Sequence, residues 1–103
     1  VACALDLFGD RWTLLVVRDL FLGRSRFKEF AASPEGIPTN LLTDRLERLV
    51  AGGVVRRVPV AGEKRQAYEL TEKGHALRPI LSAMRDWGLI WEEGTEARLL
   101  ETP

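Results

Sequence analysis

One cysteine and one histidine stand among 103 residues. A single thiol excludes an internal disulfide framework and a multi-thiolate zinc site. A lone histidine excludes catalysis built on several imidazoles. No run approaches the roughly 18 apolar residues needed to span a bilayer. Gly-rich phosphate loops, HExxH spacings and serines with an evident base are missing too, and Glu92–Glu93 and Asp44–Glu47 read as solvated faces rather than matched carboxylates. Neither catalysis nor a cofactor or metal is expected. Net charge is zero. No signal peptide is legible, and because the chain opens on Val rather than Met, residues upstream are expected.

What is present fits one small domain. The composition is 46% hydrophobic and 29% charged, which is neither disordered nor collagen-like. The neutral sum hides a separation of charge. Residues 11–65 hold eleven Lys or Arg against six Asp or Glu, while residues 66–103 hold four against seven. Twelve of the fifteen cations are Arg, the side chain suited to bidentate phosphate contact. A basic centre between acidic ends can orient a molecule on a polyanion.

Hydrophobic spacing predicts a short helix at 2–8 and a second at 11–21 capped by Asp10. A third, at about 26–32, is opened by Ser25 and has Phe27, Phe30 and Ala31 inward. After a turn at 33–37, a fourth helix runs over about 39–51, with Leu42, Leu46, Leu49 and Val50 buried. The period then drops from about 3.6 to 2. A hairpin at about 54–70 follows, with Val54, Arg56 and Val58 on one face and Arg57 on the other. A last helix is expected over about 72–93, with Pro79 awkward in its interior. The tail from Arg98 carries no strong signal. Helix pair, turn and hairpin in this order imply a mainly helical α+β fold, a winged helix-turn-helix with additional terminal helices. Trp12, Phe27, Phe30, Leu42, Leu46 and Leu49 are the expected core, and Tyr68 is placed at the wing base.

Five segments in order carry a family likeness: Gly9-Asp10-Arg11-Trp12-Thr13-Leu14-Leu15, Leu22-Gly23 with Arg26-Phe27-Lys28-Glu29-Phe30, Gly36-Ile37 through Leu46, Leu49-Val50-Ala51-Gly52-Gly53-Val54-Val55, and Tyr68-Glu69-Leu70-Thr71-Glu72-Lys73-Gly74. The chain resembles the HxlR-type winged-helix transcriptional regulators of bacteria from Val1 to about Trp91. The resemblance implies a cytoplasmic, nucleoid-associated homodimer on a roughly palindromic duplex operator, paired through its first and last helices. Some members of that family respond to thiol-reactive or other small effectors. Their redox cysteine lies just before the first helix, which here falls upstream of Val1, so the role is not carried to Cys3. Pro38 stands where the family has Ser or a similar cap.

A recognition helix shows short polar groups to base edges. Thr39, Asn40, Thr43 and Asp44 are the candidates, with Asp44 either reading cytosine or holding Arg48 at i+4. Ser25, Arg26, Lys28, Arg45 and Arg48 are candidate phosphate contacts. Arg45 has an equal alternative as partner of Glu29 or another acid. Lys64 and Arg65 form the wing tip, and at most one of Arg56 and Arg57 faces DNA. Surplus apolar surface at Leu5, Phe8, Leu81, Met84, Trp87 and Trp91 argues for self-association. Cys3 is expected buried or at that interface, and His75 at the surface. Two other functions stay open. One is a protein-interaction module that has lost DNA binding. The other is a sensor whose small effector sits between the pairing helices and the DNA-binding part.

Overall fold

The computed structural model describes residues 1–94; the expectation for the tail from Arg98 lies outside them. Its elements are α1 (Ala2–Phe8), α2 (Arg11–Phe21), α3 (Phe27–Ala31), α4 (Thr39–Ala51), β1 (Val55–Val58), β2 (Ala67–Leu70), α5 (Glu72–His75) and α6 (Arg78–Trp91). Asp10 caps α2, accepting from the Trp12 and Thr13 amides at 3.0 and 3.1 Å and from the Thr13 hydroxyl at 2.6 Å. These bonds satisfy donors that a helix start leaves unpaired.

The core lies where α2 crosses α4. Val16, Val17 and Leu20 meet Leu42, Leu46 and Leu49, with Phe30 and Ile37 closing one end and Val54, Val55 and Leu70 the other. Trp12 and Phe27 flank this cluster half-buried rather than filling it. Tyr68 packs edge-on against Phe30, ring centroids 6.2 Å apart. Its amide donates to the Ser25 carbonyl at 2.8 Å, tying the wing base to the start of α3.

Several expectations are corrected. Ser25 does not cap α3. Arg26 occupies the cap position, and the Glu29 carboxylate reaches back to the Ser25 and Arg26 amides at 3.1 and 2.8 Å. The Glu half of a capping box thus serves alone. Ala31 is exposed, because a five-residue helix turns only Phe30 fully inward. The wing strand does not alternate from Val54. Val54 and Val55 are both buried, since Val54 precedes the ladder and its carbonyl is held by the Thr71 amide at 3.0 Å. The antiparallel register then pairs Val55 with Leu70, Arg56 with Glu69 and Arg57 with Tyr68.

The long last helix is two helices. The chain breaks at Ala76–Leu77, and Pro79 falls in the first turn of α6, where its missing N–H leaves no bond unmade. Gly74, in α5, lies against Val54 and against Leu70 of β2. A Cβ there would come within 2.8 Å of Leu70 Cδ2 and closer still to the Val54 carbonyl oxygen. Gly53 ends α4 at a φ of 76°, a left-handed turn that suits glycine.

Two residues expected on the pairing surface pack within the subunit instead. Leu81 is 3% exposed because the first turns of α6 rest on the core. Phe8 is half-buried because α1 folds back toward α2 and the end of α4. Cys3 is exposed on the single chain. No helix of the described residues is long and apolar enough to cross a membrane.

Candidate nucleic-acid interface

α4 is amphipathic along its whole length. Leu42, Leu46 and Leu49 point into the core, and Thr39, Asn40, Thr43, Asp44, Glu47 and Arg48 stand in solvent. With Pro38 at the cap position, no side chain among the described residues caps the first turn of α4. Such a helix start favours negative charge. The Thr43 hydroxyl donates to the Thr39 carbonyl at 3.1 Å, and the residue remains exposed. The Asn40 side chain has no partner among the described residues.

Between this helix start and the wing lies a notch of about 360 Å³. Thr39 and Thr43 form one wall, Arg57, Arg65 and Gln66 the other, with Phe27 and Tyr68 between them. The Arg65 guanidinium sits 5.1 Å over the Phe27 ring. Arg56 is turned the other way, bonded to Glu69 across the hairpin. Of the two strand arginines, the register therefore aims Arg57 at the α4 side. Sequence alone leaves the choice between them open, and it leaves Gln66 unnoticed.

The remaining candidates divide by their partners. Arg26 forms a two-bond pair with Glu63 of the wing tip, at 3.1 and 3.0 Å, and its Nη1 donates to the Ser25 hydroxyl at 2.8 Å. Arg45 takes the alternative left open for it, but with Asp10 at 3.1 Å and Asp44 rather than Glu29. Asp44 also lies 3.7 Å from Arg48. The bond to Glu63 raises the Arg26 pKa and lowers that of Glu63. The bond to Asp10 raises that of Arg45. Burial pushes the Asp10 carboxyl up, but hydrogen bonds from Thr13 and Arg45 outweigh it and hold it at about 2. Lys28, Arg57 and Lys64, all exposed, and Arg65 make no ion pair among the described residues. Of these, Arg57 and Arg65 line the notch beside the exposed start of α4, while the charge of Lys28 acts on Glu29 and Glu63.

A second polar cluster escaped the sequence reading. Asp19, 2% exposed, accepts from Arg18 at 3.2 and 2.9 Å, from Arg24 at 3.1 Å and from the Ser33 hydroxyl. Arg18 also grips Glu35 through two bonds of 2.6 Å. That bond, against the effect of burial, holds the Glu35 carboxyl at about 2 and raises Arg18. The cluster ties α2 to the 33–36 turn that leads into α4. The one signal in the sequence is an acid, Asp19, on the apolar stripe of α2.

Two helices joined by a clamped turn, with a polar face on the second and a two-stranded wing beside it, define a winged helix-turn-helix protein. The HxlR-like helix-turn-helix family model matches residues 7–96, and the chain belongs to that family. It is 42% identical over 89 residues to the HTH-type transcriptional regulator Rv3095 of Mycobacterium tuberculosis, covering 85% of this chain and 56% of that protein. It thus spans little more than half the length of that relative. YvaP of Bacillus subtilis, also an HTH-type transcriptional regulator, is 37% identical, with 85% of this chain and 82% of YvaP covered. Among solved structures, PA1607 superposes with a TM-score of 0.80 at 46% identity, over 85% of this chain and 61% of that one. The reduced form of the B. subtilis regulator YodB gives 0.73 at 33%, over 92% and 94%. YodB has also been solved with quinone bound.

Proposed function

We propose that the chain binds double-stranded DNA as a homodimer and regulates transcription, with the start of α4 in the major groove and the wing on the adjacent backbone. The observation that carries this reading is the exposed Thr39–Asn40–Thr43 face with Arg57 and Arg65, neither in an ion pair among the described residues, across the notch from Thr39 and Thr43. Asn40 is suited to adenine and Thr43 to a thymine methyl. Lys28 and the wing cations take phosphates. Arg26, Arg45, Arg48 and Asp44 serve first to fix this surface, and Arg26 and Arg48 reach phosphate only by exchanging their carboxylate partners.

Pairing is supported by the apolar residues left in solvent: Leu5 on α1 and Met84, Trp87, Ile90 and Trp91 on α6 are between 53% and 71% exposed. A two-fold pair supplies two recognition helices to half-sites about one helical turn apart. Such a regulator works in the cytoplasm on the nucleoid and needs neither metal nor catalytic step. The internal pairing of Arg26, Arg45 and Arg48 favours the competing reading, a protein-interaction module without DNA binding. Selection from random duplex DNA at several salt concentrations separates the two. Enrichment of a two-fold symmetric sequence supports the regulator, and no enrichment at low salt supports the module.

A further inference from the structure

Beside the Arg18–Glu35 pair, α2 and α6 enclose an open cleft of about 590 Å³. That lies within the roughly 300–1,000 Å³ of small-molecule sites. Its floor is apolar, made by Leu14 and Leu15 of α2 and Leu81 and Met84 of α6. Its rim is charged: Arg11, Arg18 and Arg85 stand against a single acid, Glu35. Arg85 is satisfied by Asp86 at 3.0 and 2.8 Å. Arg11 stacks on Trp12, 4.9 Å from the ring centroid, and makes no ion pair among the described residues, its charge acting on Glu35 from longer range.

We propose that this cleft binds a small organic anion, an apolar body bearing one carboxylate or sulfonate, whose acid group is taken by Arg11 and competes with Glu35 for Arg18. The floor accepts the apolar body. Arg11, the one rim guanidinium without an ion pair among the described residues, selects an acid over a neutral or cationic analogue. Arg18, through Glu35, is one of two ties by which α2 holds the turn leading into α4, the other being Asp19 to Ser33. An acid on Arg18 therefore weakens the hold on Glu35, and occupancy of the cleft is coupled to the presentation of the recognition helix. By linkage, bound DNA weakens the anion by the same factor as the anion weakens DNA. The binding claim stands alone; the coupling rests on the DNA-binding reading above.

The test titrates the full chain, without DNA, with 1-naphthoate and with the neutral isostere 1-naphthamide, by calorimetry and amide NMR shifts. Naphthoate is expected to bind once per chain, about tenfold more tightly than naphthamide. Arg11→Gln, an exposed change that leaves the core intact, is expected to lower naphthoate affinity about five- to tenfold and leave naphthamide unmoved. Glu35→Gln, which removes the competing acid, is expected to tighten naphthoate. Equal affinity for the two probes, no binding, or indifference to Arg11→Gln overturns the site. Unchanged or weaker binding to Glu35→Gln overturns the competition for Arg18. A Leu15→Glu chain that sediments as a monomer where the parent is a dimer shows that a second copy fills the cleft, and also overturns the proposal. Naphthoate binding by a chain that retains no duplex in selection supports the site and removes the regulator reading.

Discussion

Asn40 and Glu35 show how differently single side chains serve this surface. Asn40 is exposed and without a partner, so its truncation touches nothing in the subunit. Asn40→Ala is expected to leave urea-induced unfolding within about 0.5 kcal/mol of the parent while removing about 1–3 kcal/mol of base discrimination. Glu35 is the reverse, a structural acid. Its carboxyl lies at about 2, below the ordinary 4.5 of a glutamate, chiefly because Arg18 binds it. Asp10 lies at about 2 from 3.8. Both pKa values are lower folded than unfolded, so their contribution is present above the unfolded values. It is lost as pH falls from about 4.5 toward 2. Glu35→Gln is expected to cost about 1–2 kcal/mol at pH 7, after allowance for partial exposure. It also flattens the acid limb of the stability curve, which denaturant titration at stepped pH measures.

Helices and hairpin were legible to different depths. α2 and α4 carry long amphipathic stripes with a polar cap or glycine at their ends, and their observed bounds, Arg11–Phe21 and Thr39–Ala51, follow the spacing. The wing was legible as a hairpin but not in its phase. Two adjacent valines begin it, and only the contact of Val54 with Thr71 and Gly74 decides that both are buried. That contact joins segments far apart in sequence, so no local pattern reports it. Pro79 marked a discontinuity whose form, a break before α6, depends on how α5 packs under the wing. The Asp19 cluster was illegible for the same reason: its partners Arg24, Ser33 and Arg18, the last in turn holding Glu35, converge from α2, the loop after it and the 33–36 turn. Gly74→Ala tests the junction directly. The added methyl meets the Val54 carbonyl and Leu70, and the expected loss is about 2–4 kcal/mol, read as a fall in the urea midpoint at unchanged slope.

The assembled protein adds what one chain does not display. A subunit that leaves Trp87, Ile90 and Trp91 in solvent is expected to sediment at twice 11.6 kDa at micromolar concentration. Trp87→Glu is expected to shift it toward monomer and to weaken DNA binding together with it. Lys28, Arg57, Lys64 and Arg65, the four cations per subunit proposed to take phosphates, make eight per pair. The logarithm of affinity should therefore fall against that of salt with a slope of about −7, and Arg57→Gln should reduce its magnitude by about 2. The charge asymmetry that suggested a polyanion partner was visible in the sequence. Which cations remain unpaired was not, because Glu63, Asp10 and Asp44 choose their arginines only in the folded chain. The central claim, that the start of α4 reads base edges, is tested most directly by measuring affinity for every single-base variant of the selected duplex, with the parent and with Asn40→Ala. The account predicts that Asn40→Ala loses discrimination at one symmetric pair of positions and keeps the rest. An Asn40→Ala profile indistinguishable from the parent at every position would contradict it.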